Sequence, residues 1–163
     1  MKLTVLYDSK SGNTKEMAAR IAEGMCCVEG ADARCWPIDS PDMEYLKESR
    51  CVVLGTPTYL AGMSGTMKAW LEGAARKCDL AGKIGGAFAT ADYLHGGGDL
   101  AVQELLKHQM VLGMLVFSGG GSYGKPVIHL GPVALKEHLE ESAPTFRLYG
   151  ERMAKKAIEL FGL

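Results

Sequence analysis

Six consecutive residues, Ser9-Lys10-Ser11-Gly12-Asn13-Thr14, gather three hydroxyls, an amide and a glycine directly behind an apolar run from Lys2 to Tyr7. At the junction of a strand and a helix, such a loop offers free backbone N–H groups and the positive end of a helix dipole, which suits an anion. It lacks the Gly-Lys-Ser/Thr ending of a nucleotide triphosphate loop and is no GxGxxG, so a phosphomonoester is the economical ligand. The competing reading is a helix capped by Asn13 or Thr14 behind a polar turn. Lys10 either adds charge beside a dianionic phosphate or stays in solvent, as most lysines do. Asp8, with no acidic neighbour at the strand end, makes a poor phospho-acceptor.

Other chemistry is sparse. His95, His108, His129 and His138 show no metal-ligand spacing with one another or with cysteine, and no metal is expected. Five cysteines, at 26, 27, 35, 51 and 78, form no CxxC and leave one over after pairing, which argues against a disulfide framework and for a reducing, cytoplasmic setting. Cys26-Cys27 fall late in a helical pattern and read as partly buried thiols. No catalytic triad or carboxylate pair emerges, so no catalytic side chain is assigned.

The elements that must position these groups follow from periodicity. Strands are expected at 2–7, about 33–38, 51–54, 84–90 and within 111–117. Between them, helical spacing appears from Thr14 (Met17, Ile21, Met25, Val28), after Ser40-Pro41-Asp42, from Met63 to Cys78, after Gly96-Gly97-Gly98 with Asp99 as the expected cap, and over 145–161. Alternating strands and helices imply parallel pairing, hence a doubly wound α/β fold with a five-stranded parallel sheet and helices on both faces. Ligands then bind outside the carboxyl ends of the strands. The irregular stretches 8–14, 55–62, 90–98 and 118–131 all follow strands, and the long segment 118–143 exceeds ordinary connection length.

Length and composition agree with one domain over 1–163: 47% of residues are hydrophobic, 23% charged, and the net charge is -1. That balance gives no overall field for nucleic acid, and no stretch is long enough to span a membrane. The 21 glycines concentrate where apolar runs stop.

Ser-x-Ser-Gly-Asn-Thr after the first strand resembles the FMN phosphate loop of flavodoxins. Residues Gly55 to Lys68 (GTPTYLAGMSGTMK) are similar to the third-strand loop and helix of tryptophan-repressor-binding-protein-like quinone reductases and related flavodoxin-like NAD(P)H:FMN oxidoreductases. The likeness continues through Thr90 to Gly98, Gly113-Met114 and Gly121-Ser122-Tyr123-Gly124. It implies a flavodoxin-like fold in which Ser9, Ser11, Gly12, Asn13 and Thr14 hold the FMN phosphate. Pro57, Thr58, Tyr59, Leu60, Ala61 and Gly62 would line the isoalloxazine edge, and Thr90, Ala91, Asp92, Tyr93, Gly96 and Gly97 would form the second flavin loop. Glycine- and threonine-rich loops suit a flat ring that needs close backbone approach and a few fixed donors. Of Tyr59 and Tyr93, one is expected to stack on the ring.

The resemblance further implies an oxidoreductase that passes reducing equivalents from NAD(P)H through FMN to a quinone or other small acceptor. The alternative is a flavodoxin-type one-electron carrier between redox proteins. His95 at the mouth of the site and Tyr123 in the long loop are the candidates for meeting substrate; His95 is equally a solvent-facing loop residue, and Tyr123 equally a subunit contact. The near-neutral charge and the segment Thr58 to Lys68 favour the reductase. Against it, the insertion those enzymes carry after the fourth strand is missing, and Val111-Leu112 replaces their paired histidine. A homo-oligomer is also suggested by the related reductases.

Overall fold

The computed structural model describes residues 1–162. Five strands make the main sheet, all parallel: β1 (Lys2–Tyr7), β2 (Asp32–Pro37), β3 (Cys51–Tyr59), β5 (Ile84–Ala91) and β6 (Leu115–Val116), in the order β2-β1-β3-β5-β6. Two short strands branch from it. β4 (Gly62–Met63) pairs antiparallel with the end of β3, and β7 (Val133–Leu135) pairs parallel with the end of β5. The expected five-stranded core is therefore present, within a sheet of seven strands.

Alternation along β1 sets the two faces. Leu3, Val5 and Tyr7 join Val53, Phe88 and the helices α1 (Asn13–Cys26) and α5 (Leu139–Phe161) in one core; Leu6 joins Val52, Leu54, Ala87 and the helices α3 (Gly65–Glu72) and α4 (Gly98–Val111) in the other. α1 and α5 cross closely: a Cβ on Gly24 would stand 2.0 Å from the Arg147 carbonyl oxygen, and one on Gly150 2.1 Å from that of Ile21. Two glycines thus serve helix packing rather than loops. The short helix α2 (Met43–Glu48) is capped by Asp42, whose carboxylate accepts the Tyr45 N–H at 3.0 Å, so the cap sits two residues beyond Ser40. Its last carbonyls receive the buried Lys83 ammonium, which donates to Leu46, Lys47 and Ser49 at 2.8, 2.6 and 2.8 Å.

The edge beyond β5 departs from expectation. Only Leu115–Val116 of the expected strand within 111–117 pairs with β5; Val111 still belongs to α4, and the chain turns at Gly113 with φ +79. Phe117 still donates its N–H to the Gly85 carbonyl at 2.8 Å; residues 118–131 then leave the sheet, and the chain rejoins the edge at Pro132, whose carbonyl accepts the Ala89 N–H at 3.2 Å, just before β7. The gap is filled by side chains. Ala87 N–H donates to the Tyr149 hydroxyl at 3.0 Å, and Gln109 Nε2 donates to the Gly86 carbonyl at 2.8 Å, so buried backbone groups of β5 keep partners where no strand runs beside them. Burial pushes the Tyr149 phenol well above its ordinary pKa, which keeps it neutral. α5 starts at Leu139 rather than 145 and runs through Pro144, because Ala143 and Phe146 bury the face on either side of it. Arg152 of α5 holds the excursion, donating to the carbonyls of Tyr123, Gly124 and Pro126 at 2.9, 3.1 and 3.1 Å.

All five cysteines are free, and Cys26 and Cys27 are exposed rather than partly buried. Among the described residues, no helix is long and apolar enough to cross a membrane, and no cluster of His, Cys, Asp and Glu is arranged to hold a metal.

Candidate functional site

Three connections meet at the carboxyl end of the sheet: Asp8 to Gly12 after β1, the β3–β4 hairpin, and Asp92 to Gly97 between β5 and α4. In the first, Gly12 takes φ +98 at the N-cap of α1 and, as a glycine, brings no side chain to cap the helix. Ser9 Oγ accepts the N–H of Gly12 at 3.2 Å and of Lys15 at 3.3 Å. The N–H groups of Asn13 and Thr14, at the first two helical positions, are left open by helix geometry. Neither Asn13 nor Thr14 caps the helix. Asp99 likewise lies in the first turn of α4, whose N-cap is Gly97 at φ +86.

The hairpin is tight. Tyr59 pairs with Gly62 and Thr58 with Met63, so Leu60 and Ala61 form a two-residue turn with φ +49 and +59. Side chains hold those positive angles where glycine would be expected, a conformation costing about 1 kcal/mol per residue. Surrounding contacts compensate. Ser64, which caps α3, donates its N–H to Thr56 Oγ1 at 3.0 Å and its hydroxyl to Asp8 Oδ2. Met63 N–H donates to Glu104 Oε2 at 2.8 Å, and Gly97 packs so closely that a Cβ there would sit 2.5 Å from that of Ala61.

The first turn of α1 and the end of β5, from which the first and third loops spring, are tied by the buried Thr14 hydroxyl, 2.8 Å from that of Thr90. Between the three loops lie two adjoining clefts. One, of about 210 Å³, is lined by Ser11, Asn13, Pro57, Thr58, Tyr59, Thr90, Ala91, Asp92 and Lys136. The other, of about 250 Å³, is lined by Thr58, Tyr59, Leu60, Ala61, Ala91, Asp92, Tyr93 and Gly96. Lys10 lies over the Tyr59 ring, its Nζ 5.5 Å from the centroid, instead of standing free.

Most residues selected from the sequence line these clefts, and others support them: Ser9 and Gly12 shape the first loop, Thr14 ties it to Thr90, Gly62 closes the hairpin, and Gly97 backs its tip. His95 is exposed and lines neither cleft. Tyr123 also lies outside them, edge-on to Phe117 with ring centroids 5.3 Å apart, because the Arg152 bonds fix its backbone. Sequence reasoning missed Thr56, Ser64, Glu104 and Lys136. A periodic pattern marks these as ordinary strand, cap and surface positions; only the fold brings them to the loops. A larger cleft of about 700 Å³ lies apart, between residues 127–133 and the start of α5.

The sequence profile described as NADPH-dependent FMN reductase matches residues 42–124. A Clostridium saccharobutylicum protein named flavodoxin is 41% identical over 161 residues, covering 99% of this chain and all of that one. The chain belongs to the flavodoxin-like FMN reductase family. An NAD(P)H dehydrogenase (quinone) from Geotalea daltonii is 27% identical over 202 positions, covering 98% of each chain. Among solved structures, a WrbA-like flavodoxin from Agrobacterium tumefaciens superposes with TM-score 0.79 at 28% identity, covering 96% of this chain and 97% of that one.

The residues present fit the family's FMN. Among the described residues, Thr58 Oγ1 is buried without a partner at the wall shared by both clefts, an orphan that a ligand atom would satisfy. The open N–H groups of Asn13 and Thr14, with Ser11 beside them, suit a phosphate, and Lys136 adds a cation to the same cleft. The ring would then lie between the hairpin and the Asp92–Gly97 loop.

Proposed function

We propose that this family member is a cytoplasmic, FMN-dependent electron carrier that exchanges electrons with other redox proteins. The observation carrying this reading is the rim of the ring-sized cleft. Tyr59, Leu60 and Tyr93, which line the clefts, stand exposed at 43, 105 and 67%, and Leu94 and Leu100, at 75 and 52%, carry the apolar surface on from Tyr93 around an adjoining hollow, a patch of the kind that marks a protein contact. Two further features support it. The link from β5 to α4 is only Asp92–Gly97, which gives little chain from which to build a separate nicotinamide pocket. The alignment to the quinone dehydrogenase spans 202 positions against a chain of 163 residues, so that relative has inserted segments absent here, whereas the flavodoxin relative matches end to end.

Each loop has a separable part in this reading. Ser11, Asn13 and Thr14 bind the phosphate through hydroxyl and backbone donors; Thr58 donates or accepts at the ring; Tyr59 or Tyr93 covers a ring face. FMN, when bound, supplies the redox chemistry, and the protein's contribution is orientation, hydrogen bonding and exclusion of water.

A second reading is the NAD(P)H-fed reductase of a quinone or other small acceptor. It is favoured by the family profile over 42–124 and by a net charge of -1, weak for a carrier that docks by long-range attraction. Rapid mixing of the FMN-loaded protein with NADH and NADPH separates the two. Slow or absent bleaching, with a one-electron radical signal during a potentiometric titration, is expected of the carrier. Bleaching within seconds followed by turnover with a quinone would overturn it in favour of the reductase.

A further inference from the structure

The β3–β4 hairpin cannot hold its own shape. β4 is two residues long, and its turn keeps two non-glycine residues, Leu60 and Ala61, at positive φ. So short an antiparallel pair is not stable by itself. Three contacts to it come from its own flanks or from the neighbouring loops: Thr56 to Ser64, Asp8 to Ser64, and Gly97 against Ala61.

The fourth comes from the helix behind it. Glu104, half-buried on α4, points Oε2 at the Met63 N–H, 2.8 Å away. The same oxygen would lie 2.9 Å from any Cβ at position 62, so it also lies against Gly62. Among the described residues this carboxylate forms no ion pair; Lys68, which bonds the adjacent His108 ring at 2.8 Å, pairs with Glu72 instead. A carboxylate without a cation, spent on one backbone N–H, makes a charge-assisted bond stronger than a neutral one. That N–H belongs to the residue paired with Thr58, which carries the unpartnered hydroxyl in the cleft.

We propose that Glu104 is a positioning residue for the flavin cleft, an assignment that rests on FMN binding there. It acts through the Met63 amide, fixing the hairpin so that Thr58 and the Leu60–Ala61 turn present a ready-made wall to the ring. A second consequence is electrostatic: a negative charge directly behind the ring wall opposes a negative charge on the reduced ring.

The test compares wild type, Glu104→Ala and Glu104→Gln, each stripped of flavin and titrated with FMN by fluorescence quenching. Amide exchange at Met63 is followed in the flavin-free proteins. Glu104→Ala is expected to speed Met63 exchange and weaken FMN binding by about tenfold, the order of a lost hydrogen bond to a charged group. Glu104→Gln keeps an acceptor oxygen and is expected to recover exchange and affinity to within about threefold of wild type, since the neutral bond is weaker than the charged one. It should also raise the reduction potential of the fully reduced couple, a readout that loss of fold alone does not give. Wild-type affinity and exchange in Glu104→Ala overturn the assignment, as does a Glu104→Gln protein as weak as Glu104→Ala. Should Glu104→Ala fail to fold, an unchanged potential in Glu104→Gln overturns it. Failure of wild type to take up FMN overturns the flavin reading as well, and is recognised because all three proteins then fail alike.

Discussion

The two walls of the cleft are built on opposite principles. The loop after β1 is local: Ser9 Oγ closes it on Gly12 and Lys15, and α1 itself supplies the open N–H groups of Asn13 and Thr14. The hairpin after β3 is imposed from outside, its positive φ angles at Leu60 and Ala61 held by Asp8, Glu104 and Gly97 from three other parts of the chain. A phosphate site can be made from one helix end, because a helix end has unpaired donors wherever it occurs. A wall for a flat ring needs a backbone held in a shape it would not choose, and that requires neighbours.

Substitutions can break this contrast. The largest effect is expected from Gly97→Val, which puts a branched side chain at φ +86 and drives a Cβ to 2.5 Å from Ala61. A loss of stability of about 2–3 kcal/mol is expected from overpacking and an unfavourable angle, together with FMN affinity weakened by roughly a hundredfold. Thermal melts and flavin titration would measure both. Intact affinity would mean that the hairpin tip does not form part of the ring site.

Thr14→Leu comes next. It removes the bond to Thr90 and crowds a position only 1% exposed, and is expected to weaken FMN binding by about tenfold while costing roughly 1–2 kcal/mol of stability. Free riboflavin, which lacks the phosphate, should lose much less affinity than FMN in this variant. An equal loss for both ligands would shift the role of Thr14 from the phosphate to the shape of the whole cleft.

Thr58→Val separates ligand from fold. The hydroxyl has no partner among the described residues, so its removal is expected to leave the flavin-free protein as stable or about 1 kcal/mol more so, while FMN binding falls roughly fivefold. A destabilised flavin-free protein with unchanged FMN affinity would show that the hydroxyl serves the fold.

The smallest effect is expected at Lys136→Ala. This exposed cation lines the cleft of Ser11 and Asn13, and its loss should weaken FMN binding by no more than about threefold, with a shallower salt dependence. A larger loss, insensitive to salt, would make Lys136 a direct phosphate ligand.

Much of the fold was legible because its signals are local. The short apolar run of strand formers from Leu3 to Tyr7, set against the four-residue spacing of Met17, Ile21 and Met25, distinguishes strand from helix without any partner in view. The sheet edge was not legible. An apolar run from Val111 to Phe117 looks like one strand, yet its first residue ends a helix and only Leu115–Val116 pairs, since Tyr149, Gln109 and β7 satisfy the rest of β5. Nor does a glycine's sequence position tell its use. Gly12 and Gly97 serve turns near the site, whereas Gly24 and Gly150 let two helices touch.

The sequence by itself determined the layered α/β order, the parallel sheet core and a polar loop ending in a helix start, because each rests on periodicity or on turn chemistry within a few residues. Only the tertiary structure decided that Thr14 meets Thr90, that Ser64 bonds Asp8, that Lys136 reaches the first loop and that Glu104 holds Met63. Those partners are separated by 41 to 76 positions in the three bonded pairs, and a hydrogen bond between residues so far apart leaves no period in the chain that makes it.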